Sequence, residues 1–337
     1  MSRIILFIAL IGFAFSCQPF EKNETSKIDY ALVIHGGAGN LTLENVNRES
    51  REAYESKLEE ALNRGLELLS NDSGSVAVVE TVIRVLEDSP LFNAGKGAVF
   101  THYGTNELDA SIMEGTTLNA GAVAGVSDIK NPIMAARKVM EISDHVLLSA
   151  EGASLFAEEN SLEIVDPSYF FTEDRFNSLM RVLEREGIDT DSLKASKYGT
   201  VGCVALDKKG TICAGTSTGG MTHKKYGRIG DSPIIGAGTY AKNSTCGISA
   251  TGHGEYFIRY AVAHEISALM EHRGMNLQEA ASSVIHDVLK PAGGDGGVIG
   301  LDARGNYAME FNTPGMLRAY ANSEGEKMIA IFREGEE

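Results

Sequence analysis

Hydroxyl side chains and glycines cluster in the second half of the chain, in segments that are otherwise apolar. Gly199-Thr200 opens one apolar run, Thr216–Gly220 (TSTGG) ends the next, and Thr251-Gly252 follows a third. A threonine hydroxyl is a weak nucleophile unless a neighbouring base accepts its proton. Threonine is also common in strands for packing reasons alone. The cluster can therefore do chemistry only if something activates one of its hydroxyls.

Cleavage of the chain between Gly199 and Thr200 would provide that activation. A free α-amine has an ordinary pKa of roughly 7.7–8.0, so part of it is neutral at pH 7 and can accept a proton. Thr200 would then be both nucleophile and general base, the N-terminal threonine form of hydrolytic catalysis. The polar run at 184–197 (EREGIDTDSLKASK) precedes this bond and is typical of an exposed linker.

The elements that must position these residues come in blocks. Apolar spacing predicts helices over 51–70, 75–87, 131–140, 255–273 and 277–290. The last of these begins with a capping box formed by Asn276 and Glu279. Strands are predicted around IHGGAG, on both sides of the Asp-Lys-Lys-Gly turn at 207–210, and in VIGLD and NYAMEFN. Blocks of strands and helices favour antiparallel sheets covered by helices over strict βαβ alternation.

Composition excludes several classes of function. The 337 residues carry 46 acidic and 30 basic side chains, a formal net charge of −16, with no basic run that would predict a nucleic-acid partner. An anionic substrate would therefore need a local Arg or Lys. His35 in IHGGAG belongs to a glycine turn rather than a phosphate loop. Cys203, Cys213 and Cys246 show no metal-ligand spacing and are expected to pack in the core.

Several motifs resemble those of one family, in that family's order. The first half contains IHGGAG, PLFNAGKGAVFT and ELDASIMEG, and the second half KYGTVGCVAL, TSTGGMT, GRIGDSPIIGAGTYA and SATGHGE. From about Asp29 to Arg333 the chain resembles the plant-type L-asparaginase and isoaspartyl peptidase family of N-terminal-nucleophile (Ntn) threonine hydrolases. The resemblance implies an α+β fold: a four-layer αββα sandwich with mainly antiparallel sheets between helix layers.

The resemblance also implies that the chain cuts itself between Gly199 and Thr200. Residues 18–199 would form an α subunit, ending in a linker over about 158–199. Residues 200–337 would form a β subunit, and the two would make one structural domain. The family further implies an (αβ)₂ assembly.

Catalytic roles follow by motif. Thr200 is expected to be the nucleophile, with Thr218 helping to activate it, and Thr251 and Gly252 are expected to form the oxyanion hole. Such preorganised donors typically contribute about 3–4 kcal/mol each to transition-state stabilisation.

Substrate binding is expected from a charged pair in GRIGDSP. Arg228 would bind the α-carboxylate of an aspartyl group, since its planar fork matches a carboxylate. Asp231 would bind the α-ammonium. Asn93 is expected to support the surroundings of the nucleophile, although a simple turn would also explain it.

The segment from Leu86 to Lys96 resembles the family's sodium-binding loop, in which backbone carbonyls hold the ion. A turn without an ion is the alternative, because backbone ligation leaves little trace in side chains. No cofactor is expected for catalysis itself. The residues assigned to the loop are Leu86, Glu87, Ser89, Phe92, Ala94 and Lys96.

The expected activity is that of a β-aspartyl-peptidase with asparaginase activity. It would hydrolyse isoaspartyl dipeptides and L-asparagine through a β-aspartyl ester on Thr200. A glycosylasparaginase is the alternative enzyme, although that branch typically has Asn where Gly220 stands. A lipoprotein that binds amino acids without turnover is a further alternative.

The first seventeen residues differ from the rest. Arg3 precedes the apolar run IILFIALIGFAF, which ends at Ser16-Cys17 and is too short for a comfortable membrane span. This pattern predicts a signal peptide over 1–17, with Cys17 as a lipidation site. We therefore expect export to the bacterial cell envelope or periplasm, with a lipid anchor favoured over a soluble form.

Overall fold

The computed structural model describes residues 28–185, 199–333 and 335. Within these residues the strands are β1 (Ala31–Gly39), β2 (Leu108–Glu114), β3 (Ala120–Val126), β4 (Leu147–Ser149), β5 (Val201–Leu206), β6 (Ile212–Thr218), β7 (Thr239–Ala241), β8 (Cys246–Gly252), β9 (Gly296–Asp302), β10 (Tyr307–Phe311), β11 (Gly315–Asn322) and β12 (Lys327–Phe332). The α-helices of the same part are α1 (Arg48–Ser70), α2 (Ser75–Glu87), α3 (Pro132–Ile142), α4 (Ala150–Glu159), α5 (Glu173–Arg185), α6 (Gly254–Arg259), α7 (Val262–Arg273), α8 (Leu277–Ser282) and α9 (Lys290–Ala292).

These strands form two sheets. The first has eight strands in the order β12-β11-β1-β5-β6-β2-β3-β4, and the second has four in the order β10-β9-β8-β7. Every pair of neighbouring strands is antiparallel except β3 and β4, which are parallel. The prediction of mainly antiparallel sheets is confirmed.

Three hydrophobic clusters separate four layers. Side chains alternate along a strand, and in β1 Leu32 and Ile34 pack in the cluster that includes residues of α1 and α2. Ala31 and Val33 face the other way, into the cluster shared with the second sheet. A third cluster joins the second sheet to α7 and α8. Burying one Leu or Ile contributes roughly 1.5–3 kcal/mol, so these clusters hold the predicted αββα sandwich together.

Several predicted elements match the structure closely. Helices α1 and α2 cover the predicted ranges, and β5 and β6 form the predicted hairpin. Asn276 caps α8 through the predicted box with Glu279, and α8 continues through a π-helical segment, Ser283–Leu289, into α9. The prediction of a single helix over 255–273 is wrong. Ala261, with a left-handed φ of 46°, separates α6 from α7.

The first half of the predicted linker carries local structure. A 3₁₀ turn, Pro167–Phe170, and helix α5 lie within it. Arg175 of α5 donates hydrogen bonds to the carbonyls of Leu91 and Gly97, which ties this segment to the loop after α2. Residues 186–198 lie outside the described part of the chain, and so do the predicted signal peptide and Cys17. No helix among the described residues has the length and apolarity needed to cross a membrane.

Candidate active site

The hairpin of β5 and β6 brings two threonines together. Val201 pairs with Ser217 in the antiparallel register, so Thr200 and Thr218 stand side by side at the open end of the hairpin. Thr200 Oγ1 donates a hydrogen bond to Thr218 Oγ1 at 3.0 Å, and Thr218 Oγ1 also accepts one from Gly220 N at 3.0 Å. Both threonines are buried, and the hydrogen bond to Thr218 orients the Thr200 hydroxyl.

The predicted cut site is closely packed on two sides. A Cβ on Gly37 would lie 2.7 Å from Gly199 Cα and 3.3 Å from Thr200 N, and Gly37 has a φ of +112°, which favours glycine. On the other side, a Cβ on Gly199 would lie 2.8 Å from Asn93 Cβ. The glycine turn of IHGGAG therefore lets β1 approach the backbone of residues 199 and 200.

Asn93 connects the loop after α2 to the end of β6. Its Nδ2 donates to the Gly220 carbonyl at 2.7 Å, and its Oδ1 accepts from Val99 N at 2.9 Å. Its own carbonyl accepts from Gly219 N at 3.1 Å. These contacts fix the backbone that follows Thr218, a geometry compatible with the supporting role expected for Asn93.

The second sheet contributes the end of β8. Thr251 and Gly252 pair with Gly297 and Gly296 of β9. Thr251 is buried, and its Oγ1 accepts a long hydrogen bond of 3.4 Å from Ala38 N of β1. The site is therefore built at a junction between the two sheets.

Most of the residues predicted to act in catalysis or substrate binding line one pocket. Five of those expected to act on substrate line it together: Thr200, Thr218, Arg228, Asp231 and Gly252. Its walls also include residues without an assigned role, among them Gly230 and His253. The pocket thus places a hydroxyl, a cation and a carboxyl group side by side, as a small zwitterionic substrate requires.

Arg228 has a partner that the sequence did not reveal. Its Nε and Nη2 donate to the two carboxylate oxygens of Glu255, each at 2.9 Å. Glu255 therefore occupies two of the three guanidinium nitrogens, and the expected binding of a substrate carboxylate by Arg228 stays a prediction that involves Nη1. Nη1 lies beside Gly230, where a Cβ would be only 2.7 Å away. Glu255 stands in the SATGHGE motif, but nothing in the motif showed that its side chain reaches Arg228.

Asp231 provides a buried carboxyl group in the pocket. Burial raises the pKa of this carboxyl to about 7, although the nearby Arg228 charge opposes the effect. Its Oδ2 is buried and has no protein partner. A Cβ on Gly254 would lie 2.8 Å from both Asp231 Oδ1 and Arg228 Nη2, so the missing side chain leaves room for both groups. An unpaired carboxylate oxygen in a pocket is suited to bind a cation.

Ser217 does not compete with Thr200 as a nucleophile. It is the central residue of the sequence GTSTG at 215–219, which matches the G-x-S-x-G motif of the serine-hydrolase nucleophile elbow. That elbow is a sharp turn between a strand and a helix, whereas Ser217 lies within β6 and is fully buried. Its Oγ donates to Glu87 Oε1 at 2.6 Å.

The loop after α2 turns tightly back on itself. A Cβ on Gly95 would lie 2.3 Å from the Glu87 carbonyl oxygen, and a Cβ on Gly97 would lie 2.1 Å from that of Phe92. Several carbonyl oxygens therefore face the space that the glycines leave. The part of the chain that the structure describes contains no group of three or more His, Cys, Asp or Glu side chains that could hold a metal.

Comparison with known proteins agrees with this geometry. A family model described as asparaginase matches residues 28–331. The chain is 45% identical to an isoaspartyl peptidase of Escherichia coli, over 90% of this chain and 96% of that protein. It is 38% identical to an isoaspartyl peptidase/L-asparaginase of Xenopus laevis (89% and 94% covered) and 41% identical to a plant-type L-asparaginase of Thermococcus kodakarensis (86% and 95%). The chain therefore belongs to the asparaginase family of Ntn hydrolases, as its motifs predicted.

Proposed function

We propose that this protein is a threonine-type β-aspartyl-peptidase that hydrolyses isoaspartyl dipeptides and L-asparagine. The observation that carries the proposal is the convergence in one pocket of the Thr200–Thr218 hydroxyl pair with Arg228 and Asp231. The names of the E. coli and X. laevis relatives support the same activity.

Maturation begins at the Gly199–Thr200 bond. Thr200 Oγ attacks the Gly199 carbonyl carbon, and the C–N bond breaks as the amide nitrogen takes a proton. Water then hydrolyses the ester, which leaves a Gly199 carboxylate and restores the Thr200 hydroxyl beside a free α-amine. The close packing of Gly37 and Asn93 against Gly199 supports this step, because it holds the bond in place beside the hydroxyl.

In the mature site, Asp231 binds the α-ammonium of the substrate, and Arg228 Nη1 binds its α-carboxylate. Thr200 Oγ attacks the side-chain carbonyl carbon of the substrate, and the hydroxyl proton passes to the free α-amine of Thr200 itself. Thr251 and Gly252 stabilise the oxyanion that forms. The amine on the other side of the cleaved amide bond leaves with that proton, and water then hydrolyses the β-aspartyl ester on Thr200. Glu255 holds the guanidinium of Arg228 through Nε and Nη2, so Nη1 is the nitrogen that can bind the substrate.

The glycosylasparaginase alternative is less well supported. Gly220, where that branch typically has Asn, has a φ of +78°, and a Cβ there would lie 3.2 Å from Lys224 Nζ. A protein that only binds amino acids would not need the Thr200–Thr218 pair.

We also propose that carbonyl oxygens of the Leu86–Lys96 loop hold a sodium ion. Hard cations prefer oxygen ligands, and the carbonyl oxygens of Glu87 and Phe92 face the space beside Gly95 and Gly97. The ion would stabilise the loop that carries Asn93 and would take no part in the reaction.

Export and assembly rest on the sequence and the family. The apolar run after Arg3 and the position of Cys17 support a signal peptide and a lipid anchor in the cell envelope. The (αβ)₂ assembly rests on the resemblance to the family.

The substrate class is tested by comparing kcat/KM on β-aspartyl-leucine with kcat/KM on glycosylated asparagine. We expect the dipeptide to be preferred, because Gly220 stands where the glycosylasparaginase branch typically has Asn. A clear preference for the glycosylated substrate would replace the proposed activity with that of a glycosylasparaginase.

Asp231 predicts a pH dependence that differs between two substrates. Its carboxyl in the empty site is neutral below about pH 7, so kcat/KM for L-asparagine should fall as pH drops through that value. Succinamate has the same amide and carboxylate but no α-ammonium. The decrease of its kcat/KM at low pH should therefore reflect only protonation of the Thr200 α-amine.

Asp231→Asn provides the control. A hydrogen bond to a charged group contributes about 1.5–3 kcal/mol, so KM for L-asparagine should rise about 10- to 100-fold while that for succinamate changes little. Equal increases for both substrates would rule out an ammonium site at Asp231.

Sodium should raise the thermal stability of the protein. A ligand that binds only the folded state raises Tm with its concentration. Thermal unfolding in NaCl is compared with unfolding in choline chloride at equal ionic strength. A Tm that is the same in both salts would contradict the sodium site.

Lipidation predicts that the full-length protein expressed in a bacterium fractionates with membranes, and that Cys17→Ser releases it to the soluble fraction. Identical fractionation of the two proteins would contradict the anchor.

A further inference from the structure

A continuous row of buried polar side chains runs between the two sheets. Successive polar atoms in it are 2.8, 2.6, 2.7 and 3.0 Å apart. Every member is fully buried, although polar groups are costly to bury unless they are hydrogen-bonded. In order, the members of the row are Ser111, Thr239, Thr216, Ser249 and His35.

The row ends on the backbone of the nucleophile. His35 Nδ1 lies 3.0 Å from the Thr200 carbonyl oxygen, and His35 Nε2 lies 3.0 Å from Ser249 Oγ. His35 was explained from the sequence only as part of a glycine turn, and none of the catalytic steps above uses it. The row nevertheless connects it to the residue on which those steps depend.

The hydrogen bonds from Thr239 to His35 share one direction. A carbonyl oxygen only accepts, so His35 Nδ1 must carry the hydrogen that faces Thr200. Burial lowers the pKa of His35 to about 3, against a smaller opposing effect of its bond to Thr200, so the ring is neutral. Nε2 of a neutral ring with hydrogen on Nδ1 is an acceptor, and Ser249 must therefore donate to it.

The remaining hydroxyls can follow the same order. Because the Ser249 hydroxyl donates its hydrogen to His35, it accepts a hydrogen bond from Thr216. Thr216 in turn accepts one from Thr239. Thr216 also lies 3.2 Å from the Gly238 carbonyl, but Ser249 is nearer at 2.7 Å. Ser111 has two acceptors, Thr239 and the Ser232 carbonyl, and its choice leaves the rest of the order unchanged.

A glycine opposite His35 makes the link to Ser249 sterically feasible. Gly202 of β5 pairs with His35 of β1 in the antiparallel register. A Cβ on Gly202 would lie 2.0 Å from Ser249 Oγ and 2.3 Å from His35 Nε2. Any side chain at this position would displace the two groups, so the row depends on the glycine.

We propose that His35, held by this row in its neutral Nδ1–H form, is a positioning residue for Thr200. The inference rests on the proposed function, in which Thr200 is the nucleophile at a free N-terminus. Once the bond to Gly199 is cut, only Val201 restrains Thr200 covalently. The hydrogen bond from His35 to its carbonyl then keeps the hydroxyl and the amine aimed at the substrate, and misplacement of reacting groups by about 1 Å can cost about 100-fold in rate.

Two variants of His35 separate this role from simple packing. His35→Asn places an amide N–H near the position of Nδ1 and can still donate to the Thr200 carbonyl. His35→Gln places its amide nearer the position of Nε2 and cannot. Both remove the ring from the same buried site, so similar losses of Tm are expected from the two changes.

The kinetic prediction is a difference between the two variants. Activity is measured per cleaved chain, with the cleaved fraction taken from intact mass. We expect kcat to fall about 100-fold in His35→Gln with little change in KM, and to fall much less in His35→Asn. Equal losses of kcat in both would show that His35 only fills space and would overturn the proposal. If the wild-type chain were neither cut nor active, the proposed function itself would fail.

The hydrogen position on His35 is measurable without any catalytic assay. Nitrogen-15 NMR of histidine-labelled wild-type protein, with the His35 ring signals assigned by through-bond correlation to the backbone of that residue, distinguishes the two neutral forms and the cation. We expect the neutral Nδ1–H form at pH 7. A signal from the Nε2–H form or from a charged ring would overturn the proposal even if the variants failed to fold.

Discussion

The hydrogen bond between the Thr200 and Thr218 hydroxyls is the contact on which the rest of the site depends. Its 3.0 Å length follows from the pairing of β5 with β6, which puts the two residues side by side. A slip of one residue in this register would turn Thr218 to the opposite face of the sheet. The central place of β5 between β1 and β6 is therefore a functional requirement as well as a structural one.

The pocket beside this hydroxyl pair contains charged groups of both signs. The chain is strongly acidic, with a net charge of −16, so general attraction of an anionic substrate is excluded. Arg228, held by Glu255, supplies a local cation, and Asp231 supplies a buried carboxyl whose pKa is raised to about 7. A ligand that carries an ammonium and a carboxylate on one carbon can pair with both Asp231 and Arg228, whereas a simple anion or cation can pair with only one of them.

The blocks of strands and helices predicted the antiparallel sheets and the hairpin, and the motifs shared with the family predicted the sandwich and most of the pocket. The sequence did not predict the Glu255–Arg228 pair or the row that ends at His35, since both join residues far apart in the chain. The break at Ala261 was missed because no Gly or Pro marks it. Strand β11 was missed because it is buried on both faces and so lacks polar alternation.

The central claim is that Thr200 becomes a free N-terminus. Intact mass and N-terminal sequencing of the purified wild-type protein and of Thr200→Ala test it most directly. We expect the wild type to separate into two fragments, one of which begins at Thr200, and Thr200→Ala to remain a single inactive chain. A wild-type chain that stays whole and still hydrolyses β-aspartyl substrates, or a Thr200→Ala chain that is cut after Gly199, would contradict it.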